Sequence, residues 1–496
     1  MAVRFEEARF LLNDGHWAES LLVDDTGSIL AVDGAEDAAA ERVGLEGGVA
    51  VPGLWDSHLH LAGLVENRSM LQLDPEGREA DVLEAVAGAV RLRGAAEWIR
   101  GAGWNQNLWA DKPHRLALDR VTGARPTVLW ARDHHTLWAN TEALRRLGLF
   151  DSHQDGVDRD DQGPTGLVRE DRAAAAYAAV PRPTPARSEY RSVAADLLAL
   201  GLVGVTAMEP VESAPLLGDW GEADGLRLQV FWIDGPDRPA TPAVVPPDRA
   251  DWFSSLGVKM FADGALGTRT AWMKAPYDDT SSCGVARLHG EALRRRMAEA
   301  AGHGWAVAVH AIGDQAVADV WAALAEAPPG GRVLNRIEHA QLLDPADIGR
   351  WPATRLAASM QPLHLIGDVP AMRQGWGARI RGAFPWTAWR EMGMTVMFGS
   401  DAPVVSADPV LGLHAAVYRD AVPPQRPPGG LSPLDAVFAY SRETAHADRR
   451  RGGVLAPGHP ADLTVFRHDP LAVLADGGRP EVIGTIVGGK LRWWRS

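Results

Sequence analysis

The chemistry starts from two histidines one residue apart. Asp56-Ser57-His58-Leu59-His60 follows an apolar run and a Val-Pro-Gly turn. In a strand, residues i and i+2 share a face, so both imidazoles point one way. Two imidazoles on one face offer paired nitrogen donors to a divalent cation. Alone, the pair reads equally well as two core or surface histidines. Other apolar runs also end in polar residues. His310 closes Trp-Ala-Val-Ala-Val-His, His339 closes Val-Leu-Asn-Arg-Ile-Glu-His, and Asp401 closes Thr-Val-Met-Phe-Gly-Ser-Asp. Each by itself reads as a strand-end cap or turn residue. Together with His58 and His60 they read as a ligand set. Lys259 lies inside Val-Lys-Met-Phe. Burial lowers the pKa of an ammonium, and a neutral lysine can take up carbon dioxide as a carbamate able to bridge two metals. The alternative is a lysine that reaches solvent or pairs with Asp263.

Strands must carry these residues. Strand-like apolar runs fall at 48–62, 204–208, 226–233, 257–262, 305–311, 332–339, 354–361 and 394–401. Most precede a helix-compatible stretch, as at 290–304 and 314–327. Eight strand–helix alternations predict an α/β fold, a closed (β/α)8 TIM-type barrel, with a doubly wound open sheet as the alternative. Barrel enzymes build their sites at the C-terminal ends of the strands, where these candidates lie. The interval 63–203 is too long for a simple crossover. Residues 65–185 therefore read as an inserted subdomain after the first strand, with a Pro-rich exit. The barrel takes 51–64 with 186–451. Residues 1–50 and 452–496 are β-rich, with a hairpin expected around Asp25, Thr26 and Gly27. The two ends are expected to form one small β-sandwich.

Composition narrows the partners. The 496-residue chain has 50 Lys+Arg against 64 Asp+Glu, a net charge of −14. That disfavours nucleic acid and anionic membrane, and leaves a small-molecule substrate as the expected partner. Oligomeric state is open, a homodimer being one arrangement. The single cysteine, Cys283, excludes an intrachain disulfide framework and a thiolate zinc cluster. The N-terminus lacks an apolar signal region, and no apolar run reaches the roughly 18 residues of a membrane span, so a cytoplasmic location is expected. Tryptophan is unusually common, with 19 against 10 Phe and 5 Tyr. Trp98, Trp104, Trp109, Trp130 and Trp138 fall in the insertion, and Trp55, Trp272, Trp386 and Trp389 lie near site-face segments in sequence. Most are expected in the core, with a subset lining an apolar or aromatic substrate pocket.

The order of motifs resembles the amidohydrolase superfamily: His-x-His on the first strand, Lys on the fourth, His on the fifth and sixth, Asp on the eighth. The phrases VPGLWDSHLHL, VKMFADGALGTRTA, VHAIGDQAV, RIEHAQ, FGSDAPV and GGVLAPGHPADLTVFRHDPL resemble the amidohydrolase-3, or YtcJ-like, branch, which includes N-substituted formamide deformylases. The resemblance runs nearly end to end. It implies that His58 and His60 hold the more buried metal. It implies that Lys259, as a carbamate, bridges to a second metal on His310 and His339. Asp401 would complete the first site and move protons. The cofactor is then one or two divalent ions, zinc first, with iron, manganese and nickel also suited to imidazole and carboxylate. Without the carbamate, one metal on His58, His60 and Asp401 would suffice, with His310 and His339 binding substrate. Asp133-His134-His135 with Asn140 resembles a family phrase in which the middle residue is glycine, making His135 a substrate contact. Glu170, Arg269 and Trp104 are further substrate-binding candidates. Asp56 and Glu338 are near enough in sequence to orient the imidazoles. The tail phrase GHPADL departs from the family's Gly-Lys-x-Ala-Asp and is read as neutral.

The implied reaction is metal-dependent hydrolysis of an amide, formamide or cyclic amide C–N bond. Water ionised by the metal attacks the carbonyl, and Asp401 serves as base and then acid. The same ligands would also serve an isomerase, a decarboxylase or a C–O hydrolase. A non-catalytic scaffold is the remaining alternative, disfavoured by the complete ligand set.

Overall fold

The structure, a computed structural model, describes residues 2–34, 40–74, 76–92, 98–105, 109, 112–131, 136–153, 155–181, 185–234, 246, 248–327, 333–419 and 430–495. The chain divides into two compact units, one of Met1–Leu64 with Ala186–Ser496 and one of Val65–Pro185.

Eight parallel strands dominate the first unit: β1 (Leu54–Leu59), β2 (Leu202–Pro210), β3 (Arg227–Ile233), β4 (Phe253–Phe261), β5 (Ala306–Ala311), β6 (Asn335–His339), β7 (Leu356–Met360) and β8 (Thr395–Phe398). They pair in that order, each parallel to the next. Apolar residues fill the strands because both faces of a parallel sheet are covered. β1, β6 and β7 have no exposed residue. Beyond the strand ends, the Asp401 amide donates to the His58 carbonyl at 2.6 Å, and the His60 amide to the Ala402 carbonyl at 2.8 Å. These bonds join the last strand to the first and make the sheet a TIM-type barrel. The expected helices at Gly290–Gly302 and Asp314–Glu326 follow β4 and β5. A further helix, Pro362–Gly375, starts directly after β7.

The chain ends form two sheets. A four-stranded sheet holds, in spatial order, Ile29–Val32, Leu21–Val23, Val3–Glu6 and Glu41–Gly44. A six-stranded sheet holds Lys490–Trp494, Val482–Val487, Leu463–Phe466, Val49–Pro52, Arg9–Leu11 and Trp17–Ala18. N- and C-terminal segments meet where Val49–Pro52 pairs antiparallel with Leu463–Phe466. Both sheets feed one apolar cluster that includes Phe5, Leu21, Phe10, Leu463 and Ile486. The hairpin turn is made by Asp24, whose Oδ1 accepts from the Thr26 and Ser28 amides.

The second unit has its own mixed six-stranded sheet, ordered Val157–Asp160, Gly163–Arg169, Thr136–Ala139, Thr127–Ala131, Ile99–Trp104, Leu71–Gln72. Trp104, Trp109 and Trp138 pack together, with ring centroids 5.5 to 5.8 Å apart. Trp104 and Trp138 are fully buried there, among Leu118, Leu129 and Leu167.

Barrel closure leaves no room at Gly399. A Cβ on Gly399 would lie 2.4 Å from the His58 backbone nitrogen and 2.7 Å from Asp56 Oδ1. Gly399→Ala is expected to push the end of β8 off β1 and to cost about 1–3 kcal/mol, the range for overpacking a filled site. A lower urea midpoint at unchanged m-value is the expected readout. An unaltered midpoint would mean that β8 and β1 are not held this closely.

Candidate metal centre

β1 delivers His58 and His60, but not as a regular strand. Val205 and Ala207 of β2 face Asp56 and Leu59, so β1 fits one extra residue around Ser57 and His58. Such a bulge re-aims side chains at a strand end. His58 is fully buried. Its Nδ1 lies 2.5 Å from Glu338 Oε2 on β6. The His60 Nδ1 faces the Met208 carbonyl at 3.0 Å. Both imidazoles therefore turn Nε2 inward. Asp401 Oδ1 stands 3.4 Å from the first Nε2 and 3.1 Å from the second. The ligand atoms of these three residues lie within 4.8 Å of one another.

Asp401, just past the end of β8, and His339, the last residue of β6, have left-handed backbones, φ 64° and 71°. Non-glycine residues seldom adopt that region, and where they do the surrounding structure enforces it. Here the enforcing contacts are barrel closure at Asp401 and a 2.8 Å contact between His339 Nδ1 and Gln361 Oε1. Gln361 immediately precedes the helix after β7 and fixes the His339 tautomer with Nε2 as acceptor.

Glu338 holds the centre together from below. Burial pushes its carboxyl up, but Arg336 and His58 outweigh that and bring it down to about 2. Arg336 Nε stands 2.7 Å from Glu338 Oε1 as an ion pair. Its Nη1 donates to Asp448 Oδ1 at 3.2 Å. Asp448 in turn accepts from Thr206, and Thr206 from the Trp55 indole. Every member of this chain is buried. Burial also raises the Asp401 carboxyl, yet the His58 and His60 imidazoles beside it prevail and hold it well below the usual carboxylate range.

Burial drives the remaining cations toward neutrality. The Lys259 ammonium falls to about 8 against the pull of Glu338 and Asp401. It packs 5.1 Å from the Phe261 ring centroid. Among the described residues, no carboxylate lies within ion-pair distance of it, so the alternative pairing with Asp263 does not form. Asp263 instead accepts from the Ile312, Gly313 and Trp272 amides. Burial and the Lys259 charge lower His310 to about 3. Burial and His310 lower His339 well below the usual histidine range. Neutral imidazoles are the form that binds metal. His310 and His339 rings meet at 4.5 Å, but the His310 Nε2 faces the Gly264 carbonyl at 3.0 Å.

The chain belongs to the amidohydrolase family. The profile of that family, Amidohydro_3, matches residues 41–492. The chain is 30% identical, over 98% of both chains, to the YtcJ protein of Bacillus subtilis (strain 168), named as an amidohydrolase. It is 26% identical, over 95% of this chain and 93% of the other, to an N-substituted formamide deformylase of Arthrobacter pascens. An uncharacterized metal-dependent hydrolase from Pyrococcus horikoshii OT3 shares the fold, with TM-score 0.79 at 23% identity over 96% of this chain and 99% of that one.

Within this amidohydrolase, His58, His60, His339 and Asp401 converge, with Lys259 and His310 beside them. The substrate-contact candidates fare differently. His135 lies outside the described residues. Glu170 opens the helix Glu170–Ala178, and its side chain is also outside them. Trp104 is a core residue whose indole donates to the Leu129 carbonyl at 2.9 Å, because bulk and polarity are both satisfied within its own unit. Arg269 spends its guanidinium on Asp279 at 2.7 to 3.1 Å and on Gln374. Most indoles were expected in the core, and three of those near the site-face segments are there. Trp55, Trp386 and Trp389 are fully buried under Arg450, Arg419 and Trp321 respectively. Sequence reading missed His364, on the helix after β7, whose Nε2 lies 3.6 Å from Asp401 Oδ2. Its faint signal is a lone histidine three residues after Gln361, the last residue of the apolar run 354–361. No helix among the described residues is long and apolar enough to cross a membrane.

Two substitutions test the buried chain. Arg336→Ala leaves Glu338 and Asp448 without their cation and is expected to cost about 3–5 kcal/mol in denaturant unfolding. Glu338→Gln keeps the shape but removes the charge behind His58. Metal affinity is expected to fall about 10- to 100-fold by chelator competition. Unchanged affinity would show that His58 needs no charged partner on Nδ1.

Proposed function

We propose that this amidohydrolase is a metal-dependent hydrolase that cleaves the C–N bond of a small amide, formamide or cyclic amide. One observation carries the reading. The buried Nε2 of His58 has no hydrogen-bond partner, although it points at Asp401 beside His60. Leaving a buried polar atom unpaired costs about 1–3 kcal/mol, which a bound cation would offset. Two imidazoles and a carboxylate with an open side suit zinc or a similar divalent ion at a catalytic site. When bound there, a divalent ion polarises a carbonyl and makes water acidic enough to ionise near neutral pH.

The residues around that position divide the remaining work. Asp401 is held as a carboxylate and so can accept a proton from the attacking water. Passing the same proton to the leaving nitrogen completes C–N cleavage. Glu338 keeps a proton on His58 Nδ1 and leaves its Nε2 free. Lys259 is buried with a lowered pKa, the state in which an amine can form the carbamate implied by the family resemblance. The similarity to an N-substituted formamide deformylase supports a C–N substrate, with attack on a formyl or acyl carbon.

Zinc-loaded protein is expected to hydrolyse members of a panel of N-formyl and N-acyl amines. The product should carry solvent ¹⁸O, and chelation should abolish turnover. Asp401→Asn is expected to lower kcat by about 10²- to 10⁴-fold, the range for losing a general base. Turnover that survives chelation, or product without solvent oxygen, contradicts the proposal.

A further inference from the structure

The helix Pro362–Gly375 lies across the rim that carries the metal centre. At its far end Gln374 accepts from the Arg269 guanidinium, and the Gly375 carbonyl accepts from the Asp278 amide at 2.9 Å. Both donors belong to the segment after β4. At the near end stands His364, nine-tenths buried, with Nε2 3.6 Å from Asp401 Oδ2. That separation is too long for a hydrogen bond, and Nε2 has no partner. Nδ1 is engaged. It faces the Gln341 side-chain nitrogen at 3.5 Å, which also donates to Asp368 Oδ2 at 3.5 Å. His364 and Asp368 are four residues apart on the helix and share the face that meets Gln341. The Gln341 amide has two protons, one for each acceptor. This orientation leaves Gln341 Oε1 unpaired, but the reverse would set that oxygen against the Asp368 carboxylate. These neighbours assign the His364 ring proton to Nε2.

Other histidines at this rim are set the opposite way. Glu338, the Met208 carbonyl and Gln361 face Nδ1 of His58, His60 and His339, which leaves a lone pair on each Nε2. His364 offers a proton where they offer electrons. We propose that His364 is a catalytic residue that touches the substrate, its Nε2–H donating to the carbonyl oxygen and binding it harder once attack makes that oxygen an alkoxide. The inference rests on the C–N hydrolase reading above. The spacing fits it. In the tetrahedral adduct the oxygen and the leaving nitrogen sit on one carbon, about 2.3–2.4 Å apart for bonds near 1.45 Å. With Nε2 and Oδ2 3.6 Å apart, one contact of about 2.9 Å to each atom can form at once. Oδ1 is turned to His58 and His60, so Oδ2 is the oxygen left to deliver the proton to nitrogen. The C–N bond then breaks with its electron pair going to nitrogen, and the carbonyl re-forms. His364 keeps its own proton throughout. A donor fixed in advance by Gln341 need not reorganise as charge develops on the oxygen.

The test compares His364→Leu, which fills the space without a donor, with His364→Gln, whose side-chain N–H reaches the same place. Zinc-loaded, full-length wild type and variants are assayed on the N-formyl amine that wild type cleaves fastest, and bound zinc is counted by elemental analysis. His364→Leu is expected to lower kcat about 10²- to 10³-fold, the range for one lost oxyanion donor, with bound zinc unchanged. KM is expected to move much less, because the alkoxide exists only after binding. His364→Gln is expected to recover most of the loss. If His364→Leu fails to fold by circular dichroism, His364→Ala takes its place. The inference is overturned if the donor-free variant keeps wild-type kcat, if it loses zinc, or if His364→Gln is no faster. A wild type that cleaves no amide of the panel overturns the hydrolase reading, and this inference with it.

Discussion

Glu338 is an ionised carboxyl with no exposed atom, and the barrel interior is arranged to keep it charged. An isolated carboxylate at that depth would take up a proton. Arg336, two residues earlier on the same strand, supplies one cation. His58, from the first strand, supplies a donor on the other side. Glu338 thus converts a structural ion pair into a fixed orientation for an imidazole. Arg336 is tied in turn to Asp448, and through Thr206 to Trp55 on the first strand. Buried ion pairs contribute little net stability against an apolar replacement. Their value here is geometric, because His58 cannot rotate without taking its donor away from Glu338.

The same constraint explains why the centre sits at one rim. Bonds from the Asp401 amide to His58 and from the His60 amide to Ala402 close the sheet and carry the carboxylate to the two histidines. Gly399 allows the approach, since any side chain there would strike the His58 backbone. Closure and ligand placement are one event. The left-handed backbones of His339 and Asp401 are stabilised by that arrangement and turn both side chains inward from strand ends.

Much of this was legible in the residues alone. Eight apolar runs, each as long as a strand, named the barrel, and the polar residues ending four of them named the convergent rim. His-x-His was legible as a pair, though a bulge and not simple alternation delivers it. His364 was not legible, because it sits in a helix among Leu, Ile and Val, where one histidine has no periodic signature. Glu338 was legible as a candidate to orient an imidazole, whereas Arg336 looked like ordinary strand polarity until the opposite strand was in place. Arg269 and the tryptophans found partners that their own segments do not name, for a common reason. An arginine beside a site finds the nearest carboxylate, here Asp279, and a large indole finds the nearest core. Both outcomes depend on contacts from distant parts of the chain.

The central claim is that a divalent cation is held between His58, His60 and Asp401. Crystals grown with zinc and measured on both sides of the zinc absorption edge would locate it directly. The account predicts an anomalous peak within bonding distance of His58 Nε2, His60 Nε2 and Asp401 Oδ1, roughly 2.0–2.2 Å from each. Zinc-grown crystals with no peak beside Asp401, and with His58 Nε2 hydrogen-bonded to protein or water instead, would contradict it.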